Sequence, residues 1–181
     1  MPALCDELLA IYGGRATRRY GLAEINQLQH ALQAAALAEQ AGEEPSLIAA
    51  ALLHDIGHMI HQLGDDPAAR GIDDRHEEQG ARWLARRFPE SVSEPVRLHV
   101  PAKRYLCGAE PDYFARLSPD SVRSLQLQGG PMSADEKRMF DREPWAAEAK
   151  KLRRFDEGAK DPQAGTRSFE HYLTYVDACR R

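Results

Sequence analysis

The sequence predicts an all-α domain, and three observations support this fold class. Apolar residues between positions 45 and 63 recur at steps near three and four, which is the spacing of one helix face. Residues 22–40 are rich in Ala, Leu, Gln and Glu, which have high helix propensity. Alternating runs of β-branched and aromatic residues are short, so strand signals are nearly absent. We therefore expect a bundle of six or more helices.

The first two helices are predicted over residues 22–40 and 45–63, and the second is apolar enough to be buried. The breaks between helices are clusters of turn-forming residues, and each is the size of a loop rather than of an interdomain linker. These breaks lie at residues 42–45, 64–74, 108–112, 129–131 and 158–165.

Capping residues predict where three later helices begin. The pairs Ser91-x-x-Glu94 and Ser133-x-x-Glu136 have the spacing of a capping box, in which each residue hydrogen-bonds the other's backbone. Ser118 stands directly before a proline, which suits the first helical turn. We expect a helix to start at each of these positions.

Length and composition predict one domain over residues 1–181. The formal net charge of -4 argues against nucleic acid as the main partner, because no overall positive field would attract a polyanion. No apolar run reaches the roughly 18 to 20 residues that span a bilayer, so no membrane association is expected. The three cysteines, Cys5, Cys107 and Cys179, are odd in number and far apart, which predicts neither a disulfide framework nor a zinc site and favours the cytoplasm.

The sharpest local feature is the motif His54-Asp55-Ile56-Gly57-His58. It ends an apolar helical stretch that we expect to be buried. Ionisable groups in such a place need partners. His54 and Asp55 project about 100° apart, and His58 lies one turn further on. The motif is therefore a candidate metal site, although a solvated helix end is the alternative for an isolated His-Asp pair.

Further candidate ligands are spread along the chain. Imidazole and carboxylate together suit iron, manganese or zinc. Four histidines and two aspartates are too many for one catalytic metal that keeps a position open, so two metals fit better. Each histidine alone is more often a hydrogen-bonded helix residue than a ligand. The additional candidates are His30, His76, His99 and Asp156.

The ordered set of these six residues resembles the HD-domain superfamily, in the form that binds two metals. Three segments narrow the resemblance to the PhnZ/TmpB-type phosphonate oxygenases. They are QLQH at 27–30, SLQLQGGPM at 124–132 and RRFD at 153–156. The resemblance covers roughly residues 20–161, which is the expected core of a single HD-domain helical bundle.

The resemblance implies a mixed-valent Fe(II)/Fe(III) pair with dioxygen as co-substrate. Asp55 is then the bridge between two Fe ions, and His30, His54, His76, His99 and Asp156 are terminal ligands. Such a pair with only two carboxylates is cationic and attracts a phosphonate. The implied reaction cleaves the C–P bond of a 1-hydroxy-2-(amino or trimethylammonio)ethylphosphonate and releases phosphate with glycine or glycine betaine.

The same match implies which residues hold this small-molecule substrate. The cations are His58, Lys103 and Arg153, and Lys103 and Arg153 suit tetrahedral oxyanions. Most Lys and Arg are ordinary surface charges, which is the alternative for these two. The polar groups around them are implied to be Ser121, Ser124 and Gln128.

The amine end of the substrate is less defined. Tyr20 matches a tyrosine that occupies an iron site when substrate is absent, and is a possible gating residue or transient ligand. Aminoethyl-specific members carry a glutamate where this chain has Ala23, while Glu24 stands one place later and points about 100° away on a helix. This difference favours a trimethylammonium group, for which Tyr105, Tyr113 and Phe114 offer candidate aromatic faces.

Two other functions are compatible with the same ligand set. A dinuclear HD phosphohydrolase would use it to activate water against a nucleotide or small phosphate ester, without redox chemistry. A degenerate HD module would only bind a ligand or partner. The short chain and the Gly-Gly-Pro-Met segment favour the oxygenase over the phosphohydrolase, and the presence of residues at all six metal positions argues against the degenerate module.

Overall fold

The computed structural model describes residues 4–17, 24–63 and 67–181. These residues confirm the predicted all-α class, because they form helices and include no β-strand. Two short 3-10 helices, Arg15–Thr17 and Pro67–Arg70, lie in the connections. The α-helices among the described residues are α1 (Leu4–Gly13), α2 (Gln27–Gln40), α3 (Pro45–Leu53), α4 (Ile56–Ile60), α5 (His76–Ala85), α6 (Glu90–Ala109), α7 (Pro111–Ala115), α8 (Pro119–Leu127), α9 (Ala134–Phe140), α10 (Ala146–Gly158) and α11 (Phe169–Ala178).

The predicted single helix over residues 45–63 is wrong, because the chain forms two helices that meet at the His-Asp pair. His54 caps the end of α3 and Asp55 precedes α4. The backbone of Asp55, at φ -95° and ψ 10°, leaves the helical region and redirects the chain. Both side chains consequently lie at a helix junction, where they face several neighbouring helices at once.

The start of α2 is set by Asn26, so the predicted start at residue 22 is wrong for residues 24–26. The N–H of Gln29 donates to Asn26 Oδ1 at 2.8 Å, and the N–H of Asn26 donates to Gln29 Oε1 at 2.9 Å. This capping box ends the helix at its N-terminus. Residues 18–23 lie outside the described residues.

The predicted starts at Ser118 and Ser133 are confirmed. Each hydroxyl accepts a hydrogen bond from the N–H three residues later, and Glu136 returns the bond to the Ser133 backbone. The predicted start at Ser91 is wrong because α6 begins at Glu90, directly after Pro89. Ser91 therefore lies inside the first turn rather than at the cap.

Small residues let the central helices approach each other closely. Helix α6 packs against α3, α5 and α10, and α2 packs against α3 and α10. Ala34 and Ala38 of α2 and Ala50 of α3 are fully buried in this contact. Because alanine adds little bulk, the two backbones lie close together, which brings residues of α2 beside the end of α3.

Gly57 makes a similar approach possible between α4 and α5. A Cβ atom at this position would stand 2.0 Å from the backbone oxygen of His76, closer than any real contact. On α5, Gly80 faces the backbone N of Gly57. The two glycines thus set the distance at which His76 lies from the His-Asp junction.

The Gly-Gly-Pro-Met segment packs on the far part of α6. Gly129 and Gly130 have positive φ values of 99° and 72°, which L side chains rarely adopt. A Cβ on Gly108 of α6 would stand 2.4 Å from the Met132 oxygen, and the N–H of Met132 donates to the backbone oxygen of Arg104 at 3.0 Å. The segment therefore depends on glycine at both sides of this contact.

Two further expectations concern the thiols and the membrane. Cys5, Cys107 and Cys179 are free, which confirms that they form no disulfide. Among the helices of the described residues, none combines the length and the apolar character that crossing a bilayer requires.

Candidate metal centre

Six buried candidate ligands converge where α2, α5, α6 and α10 meet the junction of α3 and α4. One group of three consists of His30, His54 and Asp156. The Nε2 atoms of the two histidines lie 3.1 Å apart, and Asp156 Oδ1 lies 3.3 Å from His30 Nε2. All three residues are at least 96% buried. These three residues form the first triad.

The second triad consists of Asp55, His76 and His99. The Nε2 atoms of His76 and His99 lie 3.1 Å apart. Asp55 Oδ1 lies 3.5 Å from His76 Nε2 and 3.8 Å from His99 Nε2. The triads therefore have the same composition, two imidazoles and one carboxylate.

Asp55 connects the two triads. Its Oδ2 atom lies 3.5 Å from His30 Nε2, and its Oδ1 atom lies 3.4 Å from His54 Nε2. Oδ2 is buried and has no hydrogen-bond partner among the described residues. A buried carboxylate oxygen without a partner is costly, and a cation beside it removes that cost.

The four histidine rings are oriented by their other nitrogen. His30 Nδ1 lies 2.7 Å from the Ala159 oxygen, and His54 and His99 Nδ1 lie 2.8 and 2.7 Å from the oxygens of residues 51 and 96. His76 Nδ1 lies 3.0 Å from a carboxylate oxygen of Asp74. These oxygens only accept, so each Nδ1 carries a proton, and in the neutral ring each Nε2 presents its lone pair to the triads.

Burial and neighbouring charges set the protonation of the candidate ligands. Burial would lower the pKa of His30 and of His76, but Asp156 and Asp74 beside them raise these pKa values, that of His76 to about 9. Burial lowers the pKa of His54 and lowers that of His99 well below its usual range, where His76 adds to the effect. Burial would raise the pKa of Asp55, but the surrounding imidazoles, His54 first, hold it well below its usual range. Burial also opposes ionisation of Asp156, and the guanidinium of Arg153 outweighs it. Neutral imidazoles and ionised carboxylates are the forms that bind metal.

A cationic cluster adjoins the first triad. Lys103 and Arg153 are each 96% buried, so neither is an ordinary surface charge. Arg153 forms an ion pair with Asp156 and donates through Nε to the hydroxyl of Tyr113 at 2.8 Å. Lys103 donates to Ser124 Oγ at 2.8 Å. The ion pair between Arg153 and Asp156 thus joins the cations directly to the triad.

Two of the three predicted polar residues contact these cations. Ser121 Oγ accepts from Arg153 Nη2 at 3.1 Å, and Ser124 receives the Lys103 ammonium. Gln128 ends α8, and its Oε1 is buried without a hydrogen-bond partner among the described residues. A hydrogen-bond donor of a bound ligand would satisfy this acceptor.

Burial lowers the pKa of Lys103 to about 7, and the positive charge of Arg153 contributes to this shift. At neutral pH the ammonium is therefore only partly charged. An anionic group bound beside Lys103 would favour the charged form.

Three contributors to the cationic cluster were missed by sequence reasoning. Glu157 accepts from Ser121 Oγ at 2.8 Å and pairs with Arg153, and Lys160 donates to Glu157 at 2.9 Å. The sequence predicts Tyr113 only as an aromatic face, but its hydroxyl accepts a hydrogen bond from Arg153 Nε. The available signal is the spacing of Arg153 and Glu157, which stand one helical turn apart and can therefore pair.

The residues expected at the entrance and amine end are only partly described. Tyr20 and Ala23 lie outside the described residues, and Glu24 is exposed in the bend before α2. Phe114 is exposed, and Tyr105 packs against Phe140 with its hydroxyl toward Asp141, so the structure gives no support for either as an aromatic face of the site.

His58 lies at the edge of the second triad. Its Nε2 atom is 3.9 Å from Asp55 Oδ1, and its ring stacks on His76 with centroids 3.8 Å apart. The side chain is 25% exposed, more than any of the six ligands. His58 thus lies between the triad and solvent, and its role as a substrate contact stays a prediction.

Comparison with known proteins adds independent information. The HD-domain family profile matches residues 28–155. A 1-hydroxy-2-(trimethylamino)ethylphosphonate dioxygenase (glycine-betaine-forming) of Leisingera caerulea is 40% identical over 166 residues, which are 92% of this chain and 85% of the relative. A hydroxymethylphosphonate dioxygenase of Gimesia maris is 45% identical over 156 residues, 86% of this chain and 78% of the relative. An uncharacterised protein of Acanthamoeba polyphaga mimivirus is 34% identical over 148 residues, 81% and 68% of the two chains.

Proposed function

Because the chain belongs to the HD-domain family and, within it, to the group of the phosphonate dioxygenases, we propose that it cleaves the carbon–phosphorus bond of a 1-hydroxyphosphonate with dioxygen. The observation that carries this proposal is the ion pair between Asp156 and Arg153. It joins a cluster of metal ligands to buried cations suited to a phosphonate. A substrate anchored on the cations would thereby extend toward both triads.

The metal centre is proposed to hold two iron ions in the Fe(II)/Fe(III) state. His30, His54 and Asp156 would hold one ion, His76 and His99 the other, and Asp55 would bridge them. The unpartnered Oδ2 atom of Asp55 and the low pKa values of both aspartates support this assignment. When bound, such a pair supplies the activation of dioxygen that oxidation of the substrate carbon requires.

The protein's own contribution is to anchor and orient the phosphonate. Lys103 and Arg153 would donate to its oxygens, with Ser121, Ser124 and Gln128 around them. His58, at the exposed edge of the second triad, would contact the substrate from the opposite side. Anchoring two oxygens fixes the position of C1 relative to the triads, which lowers the entropy cost of reaching the reactive geometry.

The proposed reaction balances without any other reactant. A phosphonate R–CH(OH)–PO3H2 and one O2 give R–COOH and H3PO4, so both oxygen atoms enter the products. With a trimethylammoniomethyl group as R the acid is glycine betaine, and with hydrogen it is formic acid. The two phosphonates that give these acids are the substrates in the names of the two bacterial relatives.

We further propose that (R)-1-hydroxy-2-(trimethylammonio)ethylphosphonate is at least as good a substrate as its unmethylated amine. Ala23 stands where aminoethyl-specific members carry glutamate. A primary ammonium therefore loses a charge partner, whereas a trimethylammonium needs no hydrogen bond. Hydroxymethylphosphonate lacks the amine altogether and is the third compound to compare.

The test is turnover by iron-loaded protein with each of the three phosphonates, measured as oxygen consumed and phosphate released. We expect equal amounts of both and no phosphate under nitrogen. Turnover that is equal without oxygen would overturn the oxygenase. Hydrolysis of nucleotides with a divalent metal under nitrogen would establish the phosphohydrolase instead, and protein without bound metal would establish the degenerate module.

A further inference from the structure

Asp74 is a buried carboxylate outside both triads that contacts three histidine rings. It lies in the loop before α5 and is 8% exposed. Its Oδ2 atom lies 2.6 Å from His58 Nδ1 and 3.3 Å from His61 Nε2, and its Oδ1 atom lies 3.0 Å from His76 Nδ1. One carboxylate therefore serves a proposed metal ligand and the proposed substrate histidine together.

The loop holds Asp74 in this place at a cost in backbone conformation. Arg75, between Asp74 and His76, has a φ of 48°, in the left-handed region that few residues other than glycine adopt. Gln79 Nε2 donates to the Asp74 backbone oxygen at 2.7 Å, and the His76 N–H reaches Asp74 Oδ1 at 3.3 Å. These two hydrogen bonds hold Asp74 beside a residue in a strained conformation, which indicates that this loop geometry is needed.

The chemistry of a carboxylate fixes the tautomer of each ring that it faces. An ionised carboxylate only accepts hydrogen bonds, so the His58 and His76 rings both need a proton on Nδ1. His61 is consistent with this, because its Nδ1 accepts from the Leu63 N–H and its Nε2 is left to donate toward Asp74. With Nδ1 protonated, the Nε2 atom of His76 is free to bind metal.

The two outer rings also share an orientation. His58 and His76 stack at an interplanar angle of 20°, with both Nδ1 atoms on the carboxylate and both Nε2 atoms toward Asp55 Oδ1. The side chain of His58 is a quarter exposed, so packing alone does not hold it as it holds the buried ligands. The carboxylate is the group that ties its ring to that of His76.

We propose that Asp74 is a positioning residue that fixes the ring of the metal ligand His76 and the ring of the substrate histidine His58 at the same time. This inference rests on the proposed function, since it needs both the metal site and the phosphonate site. It predicts that one substitution weakens metal binding and raises KM together, although Asp74 touches neither metal nor phosphonate.

The test compares Asp74→Asn with Asp73→Asn. The asparagine at 74 keeps the shape but loses the charge that both rings face. Its one oxygen can accept from only one ring, while its NH2 group faces the protonated nitrogen of the other. We expect iron affinity, measured by competition with a chelator, to fall about 10- to 100-fold. KM should rise and the helical circular dichroism should be unchanged. Asp73, which is exposed and contacts only the Arg75 N–H in the described bonds, provides the matched loss of charge and should keep wild-type values.

The proposal requires both effects once neither oxygen remains, so an Asp74→Ala protein with a wild-type iron affinity or a wild-type KM overturns it. Iron affinity is measured without turnover, so the Asp74 effect remains readable even if the wild type proves inactive on phosphonates. If Asp74→Ala does not fold, nitrogen-15 NMR of the zinc-loaded wild type decides. A protonated His58 Nδ1 upholds the proposal, and a His58 ring protonated only on Nε2 overturns it.

Discussion

The two triads and the cationic cluster meet at Asp156 but are built in opposite ways. In the triads, every Nδ1 atom has a protein acceptor, while the Nε2 atoms of His30 and His54 face each other at 3.1 Å. Two lone pairs at that distance repel unless a proton or a cation lies between them. The two rings therefore need a proton or a cation between them, and we propose that a metal ion takes this place.

The cationic cluster is largely neutralised from within. Arg153 already pairs with Asp156 and Glu157, and Lys160 donates to Glu157 at 2.9 Å. Among the described residues, Lys103 is the cation of this group that forms no ion pair, and burial lowers its pKa to about 7. We therefore expect metal binding to be lost completely when a residue of the triads is replaced, whereas substitutions in the cationic cluster should change stability and substrate binding by degrees.

The largest effect is expected for Asp55→Ala or His54→Ala. Removing the bridge or a first-triad ligand should strip the metal and abolish turnover, by at least about a thousandfold, because the remaining ligands cannot hold both ions. The helical circular dichroism should remain. Metal analysis and a melting curve check this, since metal bound only to the folded state stabilises it by about 3–4 kcal/mol when it is present at several hundred times Kd.

His171→Ala is the matched control for that loss. His171 lies on α11 and pairs with Glu39 at 2.7 Å, so it is a histidine outside the triads. The variant should keep its full metal content. An Asp55→Ala protein with wild-type metal content would break the all-or-none expectation and would count against a bridging carboxylate.

The next effect is expected for Arg153→Met. This change leaves Asp156 and Glu157 as buried carboxylates without their guanidinium, and should lower the free energy of unfolding by about 3–5 kcal/mol. The neighbouring Arg154→Met removes an exposed pair with Glu110 and should cost less than about 1 kcal/mol. Denaturant unfolding of both variants checks this, and equal losses would show that Arg153 is not specially paired.

The sequence predicts the helical class and the six ligands, but it does not predict how the ligands are brought together. Periodicity cannot reveal the break between α3 and α4, because His54 and Asp55 continue an apolar helical pattern. The break follows from tertiary packing, in which Gly57 lets α5 approach. Local pattern and fold therefore disagree at the residues that form the candidate site.

Asp74 and Glu157 escaped sequence reasoning for a related reason. Asp74 stands in a loop that follows no periodic pattern, and it contacts three rings beside Arg75, which adopts a left-handed conformation. Glu157 is an acidic residue next to Asp156 in the sequence, but on a helix its side chain points about 100° away from that of Asp156 and into the cationic cluster. The family resemblance identifies the candidate ligands, whereas these supporting contacts are seen only in the structure.

A smaller effect of opposite sign is expected for Lys103→Met. Replacing a buried amine of similar volume by an apolar side chain should raise the free energy of unfolding by about 1–4 kcal/mol in the absence of substrate. The same change should raise KM for the phosphonate by about 10- to 100-fold, because one charged donor is lost. Lys151→Met, on the exposed side of α10, should change neither quantity.

Lys103→Met therefore separates stability from binding, which Arg153→Met cannot do. Unfolding curves and steady-state kinetics on the same preparations are sufficient. A Lys103→Met protein that is less stable than wild type would show that Lys103 holds the fold together, and the contrast between the two cations would disappear.

The smallest effect is a pH dependence, and it follows from the pKa of about 7 for Lys103. Phosphonate binding favours the ammonium form, which is fully present below pH 7 and is lost as the pH rises through that value. The affinity advantage of wild type over Lys103→Met should therefore shrink between pH 6 and 8.5, by up to about tenfold per unit. The phosphonate titrates equally for both proteins, so its own ionisation cancels in the ratio.

Calorimetry with the phosphonate under nitrogen measures this ratio. The stability difference between the two proteins should shrink over the same range, because the cost of burying the ammonium is present below pH 7 and the unfolded chain keeps its proton until about pH 10.4. A ratio of affinities that stays constant from pH 6 to 8.5 would mean that Lys103 does not change its charge there. The cationic cluster would then be as fixed in its protonation as the triads are in their geometry.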